Sequence, residues 1–110
     1  MPKFMAVLHG KQGEWAKFPE AKQKELIGKY MAWAEMLKAK HEFSGGSELS
    51  ENYRTLKTAD GPFVETKEIL TGYFIFRAGS LDEAAGIARS CPAFLHGDWV
   101  QVFEMPERKE

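Results

Sequence analysis

The segment DGPFVETKEILTGYFIF, residues 60–76, joins two unlike halves. Asp60-Gly61-Pro62 is turn chemistry: Asp and Gly supply the unusual dihedrals and Pro fixes the next residue. Tyr73-Phe74-Ile75-Phe76 is an unbroken run of bulky apolar residues. A half-exposed strand alternates apolar with polar side chains, so a run without alternation predicts a strand covered on both faces. Between the halves lies a charged run, Glu65-Thr66-Lys67-Glu68. A hairpin that turns at Asp60-Gly61-Pro62 and returns through Phe63-Val64-Glu65 fits this order.

The flanking sequence supplies the partners of that strand. Phe4 to His9 reads as a second strand, apolar on both faces, and Trp99 to Met105 as a third. In the third, Trp99, Gln101, Phe103 and Met105 share one face and Val100, Val102 and Glu104 the other. Pro19 and Glu20 open a long helix that runs to His41, with Leu26, Ile27, Tyr30, Ala34 and Leu37 as its apolar stripe and Met31, Trp33 and Met36 widening it. That stripe is expected in the core. Ser80 with Glu83 three residues on has capping-box spacing, predicting a second helix that Pro92 stops, with Leu81, Ala84, Ala85, Ile87 and Ala88 facing inward. Gly86 inside it is expected to mark close packing on the sheet. Tyr53 to Leu56 is a short strand candidate, and Gly45-Gly46 a turn or bulge.

This order, strand, long helix, strands with a hairpin, strand, capped helix, strand, predicts an α+β, ferredoxin-like β-α-β-β-α-β subunit with an inserted hairpin. The chain has 110 residues, which fits a single domain over 1–110. Two helices hide one face of such a sheet. Bulky apolar groups on the other face cost about 25 cal/mol per Å2 left in water, and monomers rarely leave so large a patch open. A second copy laid sheet on sheet resolves this, so a homodimer forming a dimeric α/β barrel is expected.

Charge is balanced at a net −1, which removes the electrostatic footprint of a nucleic-acid binder. The longest apolar runs, Phe4 to Leu8 and Tyr30 to Ala34, are too short for a bilayer span or a signal-peptide core, so no membrane partner and a cytoplasmic location are expected. The lone Cys91 reads as a small buried hydrophobe. No HExxH, GxSxG, Walker loop or GxGxxG occurs, so neither a metal nor a cofactor is expected; haem or flavin chemistry would lack a dedicated ligand beyond the three histidines.

The run DGPFVETKEILTGYFIFRAGSLDEAAGIARSCP with the following GDWVQV, the opening KFMAVLHG and SGGSEL after the long helix resemble the DGPF branch of the YCII-related protein family. The resemblance spans nearly the whole chain. It implies a dimeric α+β barrel of ferredoxin-like subunits, in small bacterial proteins mostly without an assigned reaction. Some members are encoded beside extracytoplasmic-function sigma factors, and YCII-like relatives have a proposed His/Asp pocket.

Candidate site residues follow from the residues themselves. His9 at a strand end, with Asp60 or Glu65 as carboxylate partner, is the candidate proton-transfer set. Lys67 could hold an anionic group, and Tyr73 and Trp15 are candidate ligand contacts. His96 and Asp98, around Gly97, fall in one turn, with a structural role expected. The first functional expectation is a cofactor-independent binder or transformer of a small organic molecule, held between sheet and helices. The alternative is a non-catalytic regulatory or partner-binding module. A closed cavity with convergent polar groups favours the former, a leftover apolar patch the latter.

Overall fold

The computed structural model describes residues 1–108; Lys109 and Glu110, the end of the expected solvated tail, lie outside the described residues. The elements are β1 (Lys3–Lys11), α1 (Glu20–Lys40), β2 (Gly45–Glu48), β3 (Glu68–Arg77), α2 (Leu81–Ala88) and β4 (Trp99–Met105), with 3-10 turns at Trp15–Lys17 and Pro92–His96. One antiparallel sheet has the order β2-β3-β1-β4. This is the expected α+β, ferredoxin-like arrangement.

Strand alternation divides the sheet into two faces. Phe4, Ala6 and Leu8 of β1 pair with Phe76, Phe74 and Gly72 of β3 and point at the helices. Trp33 and Leu37 of α1 and Ala84 of α2 close this core, with Cys91 and Ala93 beyond α2. The reverse face carries Met5, Val7, Tyr73, Ile75 and Phe103 in register, and Phe103 is exposed.

Local signals set the ends of the elements. The Ser80 hydroxyl accepts from the Glu83 amide at 3.1 Å, and the Glu83 carboxylate accepts from the Gly79 amide at 3.0 Å. The reciprocal bond of the box thus falls one residue earlier than the Ser80 amide, and one orphan donor at the start of α2, the Glu83 amide, is satisfied. Trp33 donates its indole N–H to Ser90 at 2.8 Å, and Ser90 donates to the Ile87 carbonyl, which fastens the end of α2 to α1.

Three expectations are corrected. Gly86 is exposed with open space where a side chain would stand, so it marks no close packing. Leu81 points outward, 51% exposed, because it opens α2 on the solvent side. The Tyr53 to Leu56 strand reduces to a single bridge, Leu56 to Phe63. The segment from Leu49 to Lys67 is accordingly a long connection. Its hairpin tip at Asp60-Gly61-Pro62 is held by the Val64 amide on the Thr55 carbonyl at 2.9 Å and by Arg54 over the Phe63 ring. The charged run is its solvated return: Glu65, Lys67 and Glu68 are exposed while the Lys67 carbonyl takes the Gln12 amide at 3.0 Å.

Candidate functional site

The α1 stripe does not lie wholly in the core. Leu26, Trp33 and Leu37 are buried, but Ile27, Tyr30, Met31 and Ala34 on the adjoining flank line a cavity of about 570 Å3 between α1 and the sheet. Leu8, Ile69 and Phe74 form its floor, and Phe43 closes one side. Trp15 and Phe18 also line it, their ring centroids 6.1 Å apart and edge to face. The Gln23 side-chain amide donates to the Trp15 and Phe18 carbonyls at 3.0 and 3.1 Å and pins that turn to α1. The carboxylate of Glu51, another lining residue, accepts from the Gly13 amide at 2.7 Å.

Polar groups converge at one end of this apolar volume. The Tyr30 hydroxyl and His96 Nε2 are hydrogen-bonded at 2.6 Å, and His96 Nδ1 lies 3.8 Å from the Asp98 carboxylate. The His96 and Asp98 side chains are only 5% and 12% exposed, so both are largely withdrawn from water. The sequence makes this possible through Gly97. Its φ of 85° is left-handed, and the Asp98 amide returns to the Ala93 carbonyl at 3.1 Å, so the chain reverses and both side chains face inward. The edges of Trp15, Phe18 and Tyr30 surround the imidazole with centroids 5.8, 6.1 and 5.8 Å away.

Burial sets the proton affinities. Desolvation pushes the Asp98 carboxyl above the usual carboxylate range; His96 and a hydrogen bond from Thr71 pull the other way, and Glu14 adds to the rise. Desolvation also raises the Tyr30 phenol well above its ordinary value, with Cys91 and Asp98 adding to it. A carboxyl poised by burial inside a cleft is the kind of group that serves proton transfer.

The expected site residues are scattered. Trp15 lines the cavity. His9 lies on the reverse face of the sheet, stacked on Trp99 at 3.9 Å with its Nε2 bonded to Gln101 at 2.8 Å. Tyr73 is on that face too, opposite Val7. Asp60, Glu65 and Lys67 are exposed in the connection before β3, and none of them lines the cavity. Among the described residues no group of three or more His, Cys, Asp or Glu could hold a metal ion.

Sequence reasoning did not find Tyr30, Thr71 or the inward turn of His96 and Asp98. The available signal was a His and an Asp two residues apart around a glycine. Tyr30 was hidden in a stripe whose period is the same whether it faces core or cavity.

The family model of the YCII-related domain matches residues 3–106. The chain belongs to the YCII-related family. Among solved structures it is similar to 5-chloro-2-hydroxyhydroquinone dehydrochlorinase (TftG) from Burkholderia phenoliruptrix AC1100, solved in complex with 2,5-dihydroxybenzoquinone. The TM-score is 0.54 at 21% identity, over 98% of this chain and 93% of that one. At that identity the likeness shows the shared fold. No curated protein gives a significant match. Among the described residues no helix is long and apolar enough to cross a membrane.

Proposed function

We propose that this YCII-related protein binds a small, ring-bearing organic molecule in the cavity between α1 and the sheet and moves a proton on it without a cofactor. The observation that carries this reading is the Tyr30–His96–Asp98 chain, withdrawn from water at one end of an aromatic-walled cavity. Apolar walls with a few convergent polar groups are the usual make-up of small-molecule sites. Trp15, Phe18 and Phe74 offer faces and edges for a flat ring. The similar structure, a dehydrochlorinase solved with a dihydroxylated quinone, supports a planar, oxygen-bearing ring as the first compound class to try.

Charge narrows that class. Among the described residues, Glu14, Glu48, Glu51 and Asp98 line the cavity against a single lysine, Lys11, and Lys67 lies elsewhere. A bound carboxylate would meet like charge there, at a cost of about 1 kcal/mol beside each solvated carboxylate and more beside Asp98, which is largely withdrawn from water. The reading therefore favours uncharged rings. It is tested by thermal unfolding against matched pairs, catechol and hydroquinone beside benzoate and 4-hydroxybenzoate. A rise in Tm with the neutral rings and none with the anions is the expected result; a flat response to every compound would remove the support for a ligand site.

The narrower DGPF assignment rests on the motif Asp60-Gly61-Pro62-Phe63 and its flanks. With it goes the homodimer. The reverse face leaves Leu70, Trp99 and Phe103 at 46%, 40% and 49% exposed, beside Met5, Val7, Tyr73 and Ile75. A self-complementary contact between two copies covers that apolar surface. In this reading His9 and Tyr73 belong to the subunit contact, and Trp15 to the ligand. The competing view, a non-catalytic partner module, would use the same apolar face but leaves the half-buried Tyr30–His96–Asp98 chain without a role.

A further inference from the structure

His96 is the obvious proton-transfer group in the cavity, yet its Nε2 is already hydrogen-bonded and its Nδ1 faces a carboxyl group beyond hydrogen-bond reach. Nε2 is 2.6 Å from the Tyr30 hydroxyl, and Nδ1 is directed toward Asp98 Oδ2 at 3.8 Å. Only one of the two neutral tautomers suits both neighbours. If Nε2 carried the proton and donated to Tyr30, the phenolic hydrogen would have no acceptor among the described residues. The bare lone pair of Nδ1 would also face a carboxyl oxygen across 3.8 Å. If instead Tyr30 donates to Nε2, the phenol is satisfied and the Nδ1–H bond dipole points its positive end at Asp98.

We propose that the Tyr30 hydroxyl acts as a positioning residue, holding His96 in the Nδ1–H tautomer, and so leaves Asp98 rather than His96 to exchange a proton with a bound molecule. The tautomer assignment stands on the geometry of this chain alone; the role of Asp98 rests on the proton-transfer reading of the cavity. Several features agree. Tyr30 sits against Phe74 on α1, whose next turn is anchored by buried Trp33, so the hydroxyl is held in place rather than swinging. Burial keeps the phenol protonated, as a donor must be. Asp98 lines the cavity itself, steadied by the Thr71 hydroxyl, with the β1 backbone at Gly10 behind it. The imidazole then resembles the oriented ring of a triad with the order changed: the hydroxyl fixes the ring, and the ring polarises the carboxyl.

Long-range 1H–15N correlation spectra of uniformly 15N-labelled protein at pH 7.5 report the tautomer directly. The His96 ring is assigned by loss of its signals in His96→Gln. The expected wild-type spectrum has Nδ1 protonated and Nε2 bare. Tyr30→Phe removes one oxygen and keeps the ring, so folding is retained. It should release the lock and carry the Nε2 signal from the bare range toward the protonated one. Asp98→Asn, in contrast, should keep the wild-type tautomer, because the hydroxyl and not the carboxyl sets it. A protonated Nε2 in the wild type, as the other tautomer or as imidazolium, overturns the proposal. So does a Tyr30→Phe spectrum identical to wild type, or an Asp98→Asn spectrum that alone changes tautomer. The spectra need no ligand, so a failed compound screen and a failed tautomer assignment are separate results.

Discussion

The carboxylate of Asp98 lies directly over Gly10, so closely that a side-chain carbon built there would come within 2.7 Å of both carboxyl oxygens. A residue near the end of β1 thus lies against a side chain in the turn just before β4, and the site depends on a missing methyl group. Gly10 is buried and has no left-handed backbone; its requirement is space. Gly10→Ala should push Asp98 away from His96 and Thr71 and cost about 1–3 kcal/mol. The measurement is paired: chemical unfolding for the stability loss, and the His96 and Asp98 side-chain NMR signals for the displacement. Unmoved signals in a stable Gly10→Ala variant would contradict the steric reading.

Alkaline pH should loosen the fold through two buried groups. Burial pushes the Cys91 thiol from 9.0 to about 11, with Asp98 adding to the rise and the Ala93 backbone opposing it. Unfolded chains lose this proton near pH 9 and folded chains only near 11, so between those values the folded state holds more protons. Stability therefore falls as pH rises through that window, by about 2–3 kcal/mol in all for this group. Tyr30, also raised, adds to the fall once pH passes its ordinary 10.0. Cys91→Ala should be less stable at pH 7 by about 1 kcal/mol yet lose less between pH 9 and 10 than the wild type. Urea unfolding across pH 7 to 11 tests both halves.

Most of the architecture could be read from the sequence because its signals are local. The run Tyr73 to Phe76 has no alternation, and β3 is flanked in the sheet by β2 and β1, with Tyr73 and Ile75 of its reverse face half-buried. Ser80 and Glu83 mark the start of α2 to the residue. The cavity was less legible because it arises between elements. Tyr30 and Leu37 follow the same helical period, but Leu37 meets β-sheet side chains while Tyr30 meets His96 from a turn 66 residues away in sequence. The motif at Asp60 drew attention as a site because it is polar and compact. It forms an exposed hairpin tip, and the polar groups that converge lie in the plain-looking LHGD turn, where Gly97 alone permits the inward reversal.

Trp33 and Ser90 give a second stability test, independent of the cavity. The indole N–H donates to Ser90 Oγ at 2.8 Å, and Trp33 is 6% exposed. Ser90→Ala would leave a buried donor unpaired, costing about 1–3 kcal/mol. Ser80→Ala at the N-cap of α2 should cost about 1 kcal/mol, through the lost bond to the Glu83 amide. The two changes lie at opposite ends of one short helix. A double variant therefore tests whether α2 behaves as one unit: a combined loss well beyond the sum of the two would mean that its ends are coupled.

The reverse face of the sheet sets the last expectation. Phe103 is 49% exposed at the centre of β4, opposite Met5, in a field of Val7, Tyr73, Ile75 and Trp99. If a second copy covers that field, sedimentation at micromolar concentration finds twice the 12.5 kDa chain mass. Phe103→Glu then places a charge in a dry contact and splits the particle, because an unpaired buried carboxylate outweighs what one apolar side chain returns. Leu81→Lys is the control: Leu81 is 51% exposed on α2, away from the sheet face, and its replacement should leave the assembly intact. A wild-type particle of single-chain mass would show that this apolar face stands open to water. A dimer that survives Phe103→Glu but not Leu81→Lys would place the contact on the helices instead.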